Sequence, residues 1–275
     1  MHLNPSSHPL DAMSLAYKDN ESTLHLPRIL CLHGGGTNAR IFRMQTRAFK
    51  HHIGQQFRFV FAQAPFPSKP GPDVTSVYSE YGPFRSWLRP YREGEDAERC
   101  GTEASDLICE SIATAIREDD ELGATGDVVG VLGFSQGARM AASLLYNQQL
   151  GASTDIGWPK FRFAVLLAGR GKLVWLMPDL PRPEGVVAPI QPVGAMPVDM
   201  DAPGWDDLKL RDKLQLPTVH VHGLTDDGLP YHRQLALRYC LPGSSTVIEW
   251  QGEHRVPIKT KDVRPVVEQM VRLAA

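Results

Sequence analysis

Apolar positions along the chain fall into two alternating patterns. The stretches "RILCLH" (28–33), "FRFVFAQAP" (57–65), "DVVGVLGF" (127–134), "FRFAVLLAG" (161–169), "PTVHVHG" (217–223) and "STVIEWQG" (245–252) are short runs of β-branched, aromatic and aliphatic residues. Such runs read as strands. Two of them, 127–134 and 161–169, are nearly continuous in apolar residues, the pattern of strands covered on both faces. Other stretches space their apolar residues helically. They are 38–53, with Ile41, Met44, Ala48 and Phe49 on one face, and 100–119, with Leu107, Ile108, Ile112 and Ile116. Residues 135–150, 231–240 and 261–274 read the same way, with Pro265 suited to the first turn of the last helix. Strand–helix alternation predicts an α/β fold: a mostly parallel central sheet of about six strands with helices on both faces.

Two segments break the rhythm. Residues 66–99 are rich in aromatics, glycine and proline, and 170–216 carry seven prolines between Pro178 and Pro203. Loops of that length inside a compact domain are usually functional lids or disordered linkers. Both follow strands whose C-terminal ends face the ligand side of an open parallel sheet, so both are expected to be lids or pocket walls. Residues 1–25 read as a polar lead-in and 26–275 as a single domain.

Composition narrows the function classes. The 275 residues include 29 basic and 31 acidic side chains with no like-charge block, so neither a nucleic-acid nor a membrane-binding basic face is expected. No segment reaches the roughly 18 consecutive apolar residues of a membrane span. The N-terminus lacks a signal or transit pattern, and the expected location is cytoplasmic. The four cysteines, Cys31, Cys100, Cys109 and Cys240, show no paired or metal-ligand spacing, and Cys31 and Cys109 read as small core residues. His220 and His222 share a strand face near Asp226, but no accompanying ligand motif points to a metal. Neither metal nor cofactor is expected.

The candidate chemistry starts at Gly133-Phe134-Ser135-Gln136-Gly137, a G-x-S-x-G between an apolar strand and a helix. A sharp strand-to-helix turn there would hold the serine hydroxyl above the sheet edge. Serine needs a neighbouring base, and the base needs a third group to orient it. "HVHGLTDDGLP" presents Asp226 and Asp227 at the end of one strand; Asp226, nearer the strand end, is preferred, with Asp227 as the alternative. Of ten histidines only His232 and His254 follow that acidic pair. His232 falls within a predicted helix, whereas His254 sits in a loop after the last strand, placed to reach over the sheet edge as the base.

Acyl transfer also requires fixed N–H donors for the oxygen that becomes negative. One is expected at Gln136, the residue after the nucleophile, and the other in the turn "HGGG" (33–36). A phosphate cradle would need a following Lys-Ser/Thr or a G-x-G-x-x-G spacing, and neither is present.

The segments "ILCLHGGGTNARIF", "FRFVFAQAPF", "YGPFRSWL", "GFSQGARMAA", "HVHGLTDDGLP" and "GEHRVP" resemble, in sequence and order, those of the fungal serine hydrolase (FSH) family of α/β-hydrolases. The likeness covers residues 28–275 and is strongest to hydrolases of fungal polyketide pathways, those of citrinin and lovastatin biosynthesis among them. It implies a Ser135–His254–Asp226 hydrolase of esters or thioesters, with Gly35 as the first oxyanion donor. The substrate it implies is a small acyl ester or thioester, with an acyl carrier protein domain as a possible partner. A general carboxylesterase or lactonase is the alternative, and a non-hydrolytic binding protein on the same fold a further one. Tyr78, Tyr81, Phe84 and Trp87 in the first long loop, and Met196, Met200 and Trp205 in the second, are expected to line an acyl pocket. The second loop is longer and richer in proline than the family pattern.

Overall fold

The computed structural model describes residues 22–72, 74–151, 158–193 and 209–275. Six strands, β1 (Arg28–Leu32), β2 (Arg58–Ala62), β3 (Val128–Phe134), β4 (Phe163–Leu167), β5 (Thr218–Gly223) and β6 (Ser245–Trp250), form one sheet in the order β6-β5-β4-β3-β1-β2. Every neighbouring pair is parallel. Burial follows position in the sheet. All residues of β1, β3, β4 and β5 are buried, whereas the edge strands β2 and β6 have partly exposed positions. Cover on both faces favours continuous apolar runs, and β3 and β4 read that way, whereas β5 alternates and buries Thr218, His220 and His222.

Helices α1 (Ala39–Gln45), α2 (Arg47–Ile53), α3 (Ala97–Glu121), α4 (Gln136–Gln149), α5 (Leu229–Gln234) and α6 (Thr260–Ala274) cover the two faces. On one face Ile108, Ile112, Met140 and Leu144 pack over Leu30, Leu32 and Val131. On the other, Phe42, Phe49, Val263 and Met270 pack over Ile29, Cys31 and Leu132. Alternate residues of β1 thus serve opposite cores, as the pleat requires.

Several elements differ from expectation. The helix expected over 38–53 breaks at Thr46, whose hydroxyl donates back to the Phe42 carbonyl, a bond that competes with the regular ladder. Helix α3 is longer at both ends, starting at an Asp96 cap whose side chain accepts from the N–H groups of Glu98 and Arg99. Leu107 is turned out and 50% exposed, so the apolar stripe rests on Ile108 and Ile112. The helix expected over 231–240 is α-helical only to Gln234 and continues as a wider π turn over Leu235–Tyr239. Pro265 is not in the first turn of α6 but inside the helix.

The two long loops are stitched to the body and to each other. Phe66–Pro67 pairs antiparallel with Arg85–Ser86, and Arg89–Tyr91 pairs parallel with Ile190–Pro192. Residues 173–176 are buried against α4, where Ser143 Oγ accepts from Val174 N and Asn147 bonds both Val174 O and Leu176 N. In their described parts both segments are tied to the body, although much of the first, residues 67–70 and 75–77 among it, is exposed. No helix among the described residues is long and apolar enough to cross a membrane.

Candidate active site

The sheet's strand order reverses between β1 and β3, and the turns leaving their C-terminal ends meet there, where open α/β sheets offer a crevice. Ser135 occupies the turn after β3 at φ 51°, ψ −113°. A non-glycine residue holds that backbone only when its surroundings enforce it. The enforcement comes from contact: a Cβ on Gly133 would lie 2.2 Å from Gly137 O, and one on Gly137 would lie 2.0 Å from Leu32 O. The two motif glycines therefore let strand, turn and helix approach as closely as backbone allows. As the N-cap of α4, Ser135 makes no side-chain capping bond, so its hydroxyl is left for other partners.

One such partner is His254, in the loop after β6, whose Nε2 lies 3.0 Å from Ser135 Oγ. Its Nδ1 lies 2.7 Å from Asp226 Oδ2. Asp226 sits in the turn after β5, where its Oδ1 accepts from Gly228 N at 2.8 Å. A carboxylate can only accept, so the imidazole proton resides on Nδ1 and the Nε2 lone pair faces the serine hydroxyl. Burial alone would push the Asp226 carboxyl up. The hydrogen bond from His254 Nδ1–H, together with that from Gly228 N–H, outweighs it and holds the group below its ordinary range. Asp227 is exposed. The His254 ring also rests on Phe134, with centroids 5.1 Å apart.

The triglycine turn lies beside this group. Gly36 adopts φ 72°, and a Cβ there would come 2.3 Å from Gly71 N, so only glycine fits. His33 is fully buried beneath the turn. Its Nε2 accepts from Ala64 N at 3.1 Å, which leaves the ring proton on Nδ1, 2.8 Å from Gly34 O. Thr37 Oγ1 donates to the same carbonyl at 2.6 Å. With the Gly34 oxygen held on one side, the N–H of the same peptide, which belongs to Gly35, is aimed the other way. Among the described residues neither Gly35 N–H nor Gln136 N–H has an acceptor. A Cβ on Gly35 would lie 3.2 Å from the Gln136 side-chain amide, so the turn and the start of α4 touch.

That amide ties the first long loop to the site. Gln136 Oε1 accepts from Trp87 N at 2.7 Å and from Ser86 Oγ at 3.2 Å. Trp87 itself is 0% exposed, with its indole N–H donating to His33 O at 2.8 Å. It therefore anchors the loop in the core and does not line an open pocket, because its ring fills the space under the triglycine turn. Tyr78, Tyr81 and Phe84 are half-buried. The Asn38 side chain holds the carbonyls of Tyr81 and Pro83, and Arg40 stacks over the Tyr81 ring at 4.7 Å. Met196, Met200 and Trp205 lie outside the described residues.

Motif reading gave no role to His33 or to the Gln136 side chain, and it set His232 aside as a helical residue. Only for His33 was there a signal, a threonine four residues on within the same turn. His220, His222 and His232 continue a column of rings inward from His254, with centroids 6.0, 5.7 and 5.9 Å apart in succession. Burial is the first cause lowering all of the buried histidines: His33 and His222 to about 4, His220 and His232 to about 3. Each is neutral in the fold yet takes up a proton near pH 6.5 once unfolded. The unfolded chain then binds more protons, so stability is present above pH 6.5 and drains away as pH falls toward 4. Urea unfolding should show a plateau above pH 7 and a loss on the order of 3–5 kcal/mol between pH 7.5 and 5.5. A flat profile over that interval would show that these rings are solvated in the fold.

Comparison with known proteins gives a consistent picture. The family described as "Serine hydrolase (FSH1)" matches residues 22–266. The chain is 51% identical over 263 residues to "Esterase dbaE" of Emericella nidulans, covering 94% of each protein. It is 51% identical over 262 residues to "Esterase pigG" of Monascus ruber, covering 93% of this chain and 94% of that one. To "Probable esterase azaC" of Aspergillus niger it is 48% identical over 258 residues, covering 93% and 88%.

Proposed function

Because the chain belongs to the serine hydrolase (FSH1) family, we propose that it cleaves an acyl ester or thioester through an acyl-enzyme on Ser135. The observation that carries this reading is the continuous hydrogen-bonded series Ser135 Oγ–His254–Asp226 above the sheet edge. His254 Nε2 takes the hydroxyl proton as Ser135 Oγ attacks the acyl carbonyl. The oxygen that becomes negative is held by the N–H groups of Gly35 and Gln136, with the N-terminus of α4 adding its dipole. The tetrahedral intermediate expels the thiol or alcohol, which leaves with the proton from His254. Water then attacks the acyl-enzyme with the same histidine as base, releasing the acid and restoring Ser135. Asp226 keeps the Nδ1 proton in place and stabilises the imidazolium that forms.

The acyl group we propose is that of a fungal polyketide delivered as a thioester on a carrier domain. Its support is the likeness of the chain's motif segments to hydrolases of such pathways. The half-buried aromatics Tyr78, Tyr81 and Phe84, tied beside the triglycine turn, would form part of its wall. The relatives are named esterases, and a second reading is hydrolysis of small free esters. Comparing kcat/KM for a carrier-bound acyl thioester with that for p-nitrophenyl esters separates the two. A carrier substrate preferred by at least about 10²-fold, near 3 kcal/mol of transition-state binding, is the expected result. Equal or reversed preference assigns the enzyme to free esters.

A further inference from the structure

The acid of the proposed triad has a second histidine beside it. His232 on α5 is 0% exposed, and neither of its ring nitrogens has a hydrogen-bond partner among the described residues. A buried polar group without a partner calls for a physical explanation, an ion among the candidates. Its Nε2 lies 3.7 Å from Asp226 Oδ2, the oxygen that also meets His254 Nδ1 at 2.7 Å. One donor atom from each of Asp226, His232 and His254 lies within 4.8 Å of the others. The turn keeps this space open: a Cβ on Gly228 would sit 2.9 Å from His232 Nε2 and 3.1 Å from Asp226 Oδ1.

We propose that Asp226 Oδ2, His232 Nε2 and His254 Nδ1 form an inhibitory binding site for a divalent transition metal, zinc above all. Two imidazoles and one carboxylate are a donor set that zinc takes, with metal–ligand distances of about 2.0–2.2 Å and a fourth position left to water. Tetrahedral bonds of that length put neighbouring ligand atoms roughly 3.3 Å apart, between the 2.7 and 3.7 Å edges present here. His254, with a quarter of its side chain exposed, is the ligand that can shift outward to widen the short edge and admit the ion.

Inhibition follows from the proton inventory and rests on the triad reading above. Neutral His254 has one ring proton, on Nδ1. When the metal takes the Nδ1 lone pair, that proton is carried on Nε2 through exchange with solvent. Nε2 then faces Ser135 as a donor and has no lone pair to accept the serine proton. Asp226 remains a carboxylate, His232 remains neutral, and no covalent bond is made or broken.

The test titrates ZnCl₂ into metal-stripped enzyme during p-nitrophenyl ester hydrolysis, each protein being referenced to its own zinc-free rate. Micromolar zinc should inhibit, EDTA should restore the rate, and His232→Phe should raise the half-inhibitory concentration at least about tenfold. An unchanged value in that variant, or no inhibition below millimolar zinc, overturns the proposal. A second measurement stands if His232→Phe does not fold: Co²⁺ added to the wild type should give the visible absorption of a four-coordinate ion, displaced by zinc and weakened in Asp226→Asn. No such absorption also overturns the site. Cobalt bound in this way without loss of hydrolysis would leave the metal site standing and remove Asp226 and His254 from catalysis.

Discussion

Ser135→Ala is expected to lower kcat by about six orders of magnitude, because nucleophile and base act as one unit and removing either removes most of what the set supplies. The change deletes a single oxygen. Ser135 already holds φ 51° through the packing of Gly133 and Gly137 against neighbouring backbone, and alanine meets the same backbone strain as serine. The hydroxyl makes no capping bond to α4, so the helix does not depend on it. Circular dichroism and the urea midpoint should therefore stay near wild type while p-nitrophenyl ester hydrolysis collapses. Labelling by a fluorophosphonate should vanish with it, since that probe reports the activated oxygen directly. Any rate left over should reflect the oxyanion donors and binding, which alone can retain 10³–10⁴-fold over water, as order-of-magnitude figures. Retained hydrolysis in a folded alanine variant would place the nucleophile elsewhere.

The parts of this site that were legible in the sequence are those that local chain geometry determines. A strand running into G-x-S-x-G and out into a helix specifies a turn whose glycines must touch backbone, and Gly137 does so against Leu32. The buried strands were legible because both faces of β3 and β4 are covered, leaving no polar positions to interrupt the pattern. What the sequence did not disclose depends on contacts between distant segments. Trp87 has the composition of a pocket aromatic, yet the pairing of Arg85–Ser86 with Phe66–Pro67 carries its ring into the core under His33. Leu107 fits the helical stripe as well as Ile108 does, but only tertiary packing decides which of two adjacent apolar residues faces in. The break at Thr46 arises from a side chain competing for one carbonyl. His232 reads as an ordinary helical residue because its closeness to Asp226 depends on how α5 folds back over the turn after β5.

The adjacent acids give the second large effect, and the one that separates chemistry from position in sequence. Asp226→Asn should lower kcat by about 10⁴-fold, while Asp227→Asn should remain within a few-fold of wild type. Asparagine keeps an oxygen to accept from Gly228 N, so the turn has reason to persist. Toward His254 the amide is a different partner. If its NH₂ replaces Oδ2, it donates to Nδ1, forcing the ring proton onto Nε2 and leaving no lone pair for the serine. If its oxygen is presented instead, the tautomer survives but the negative charge that stabilises the imidazolium is gone. Both outcomes weaken the same proton transfer, so the loss should fall on kcat with KM little changed. Asp227 is exposed and has no route to the imidazole without rebuilding the turn after β5. A larger loss at Asp227 than at Asp226 would mean that the turn rearranges when substrate binds.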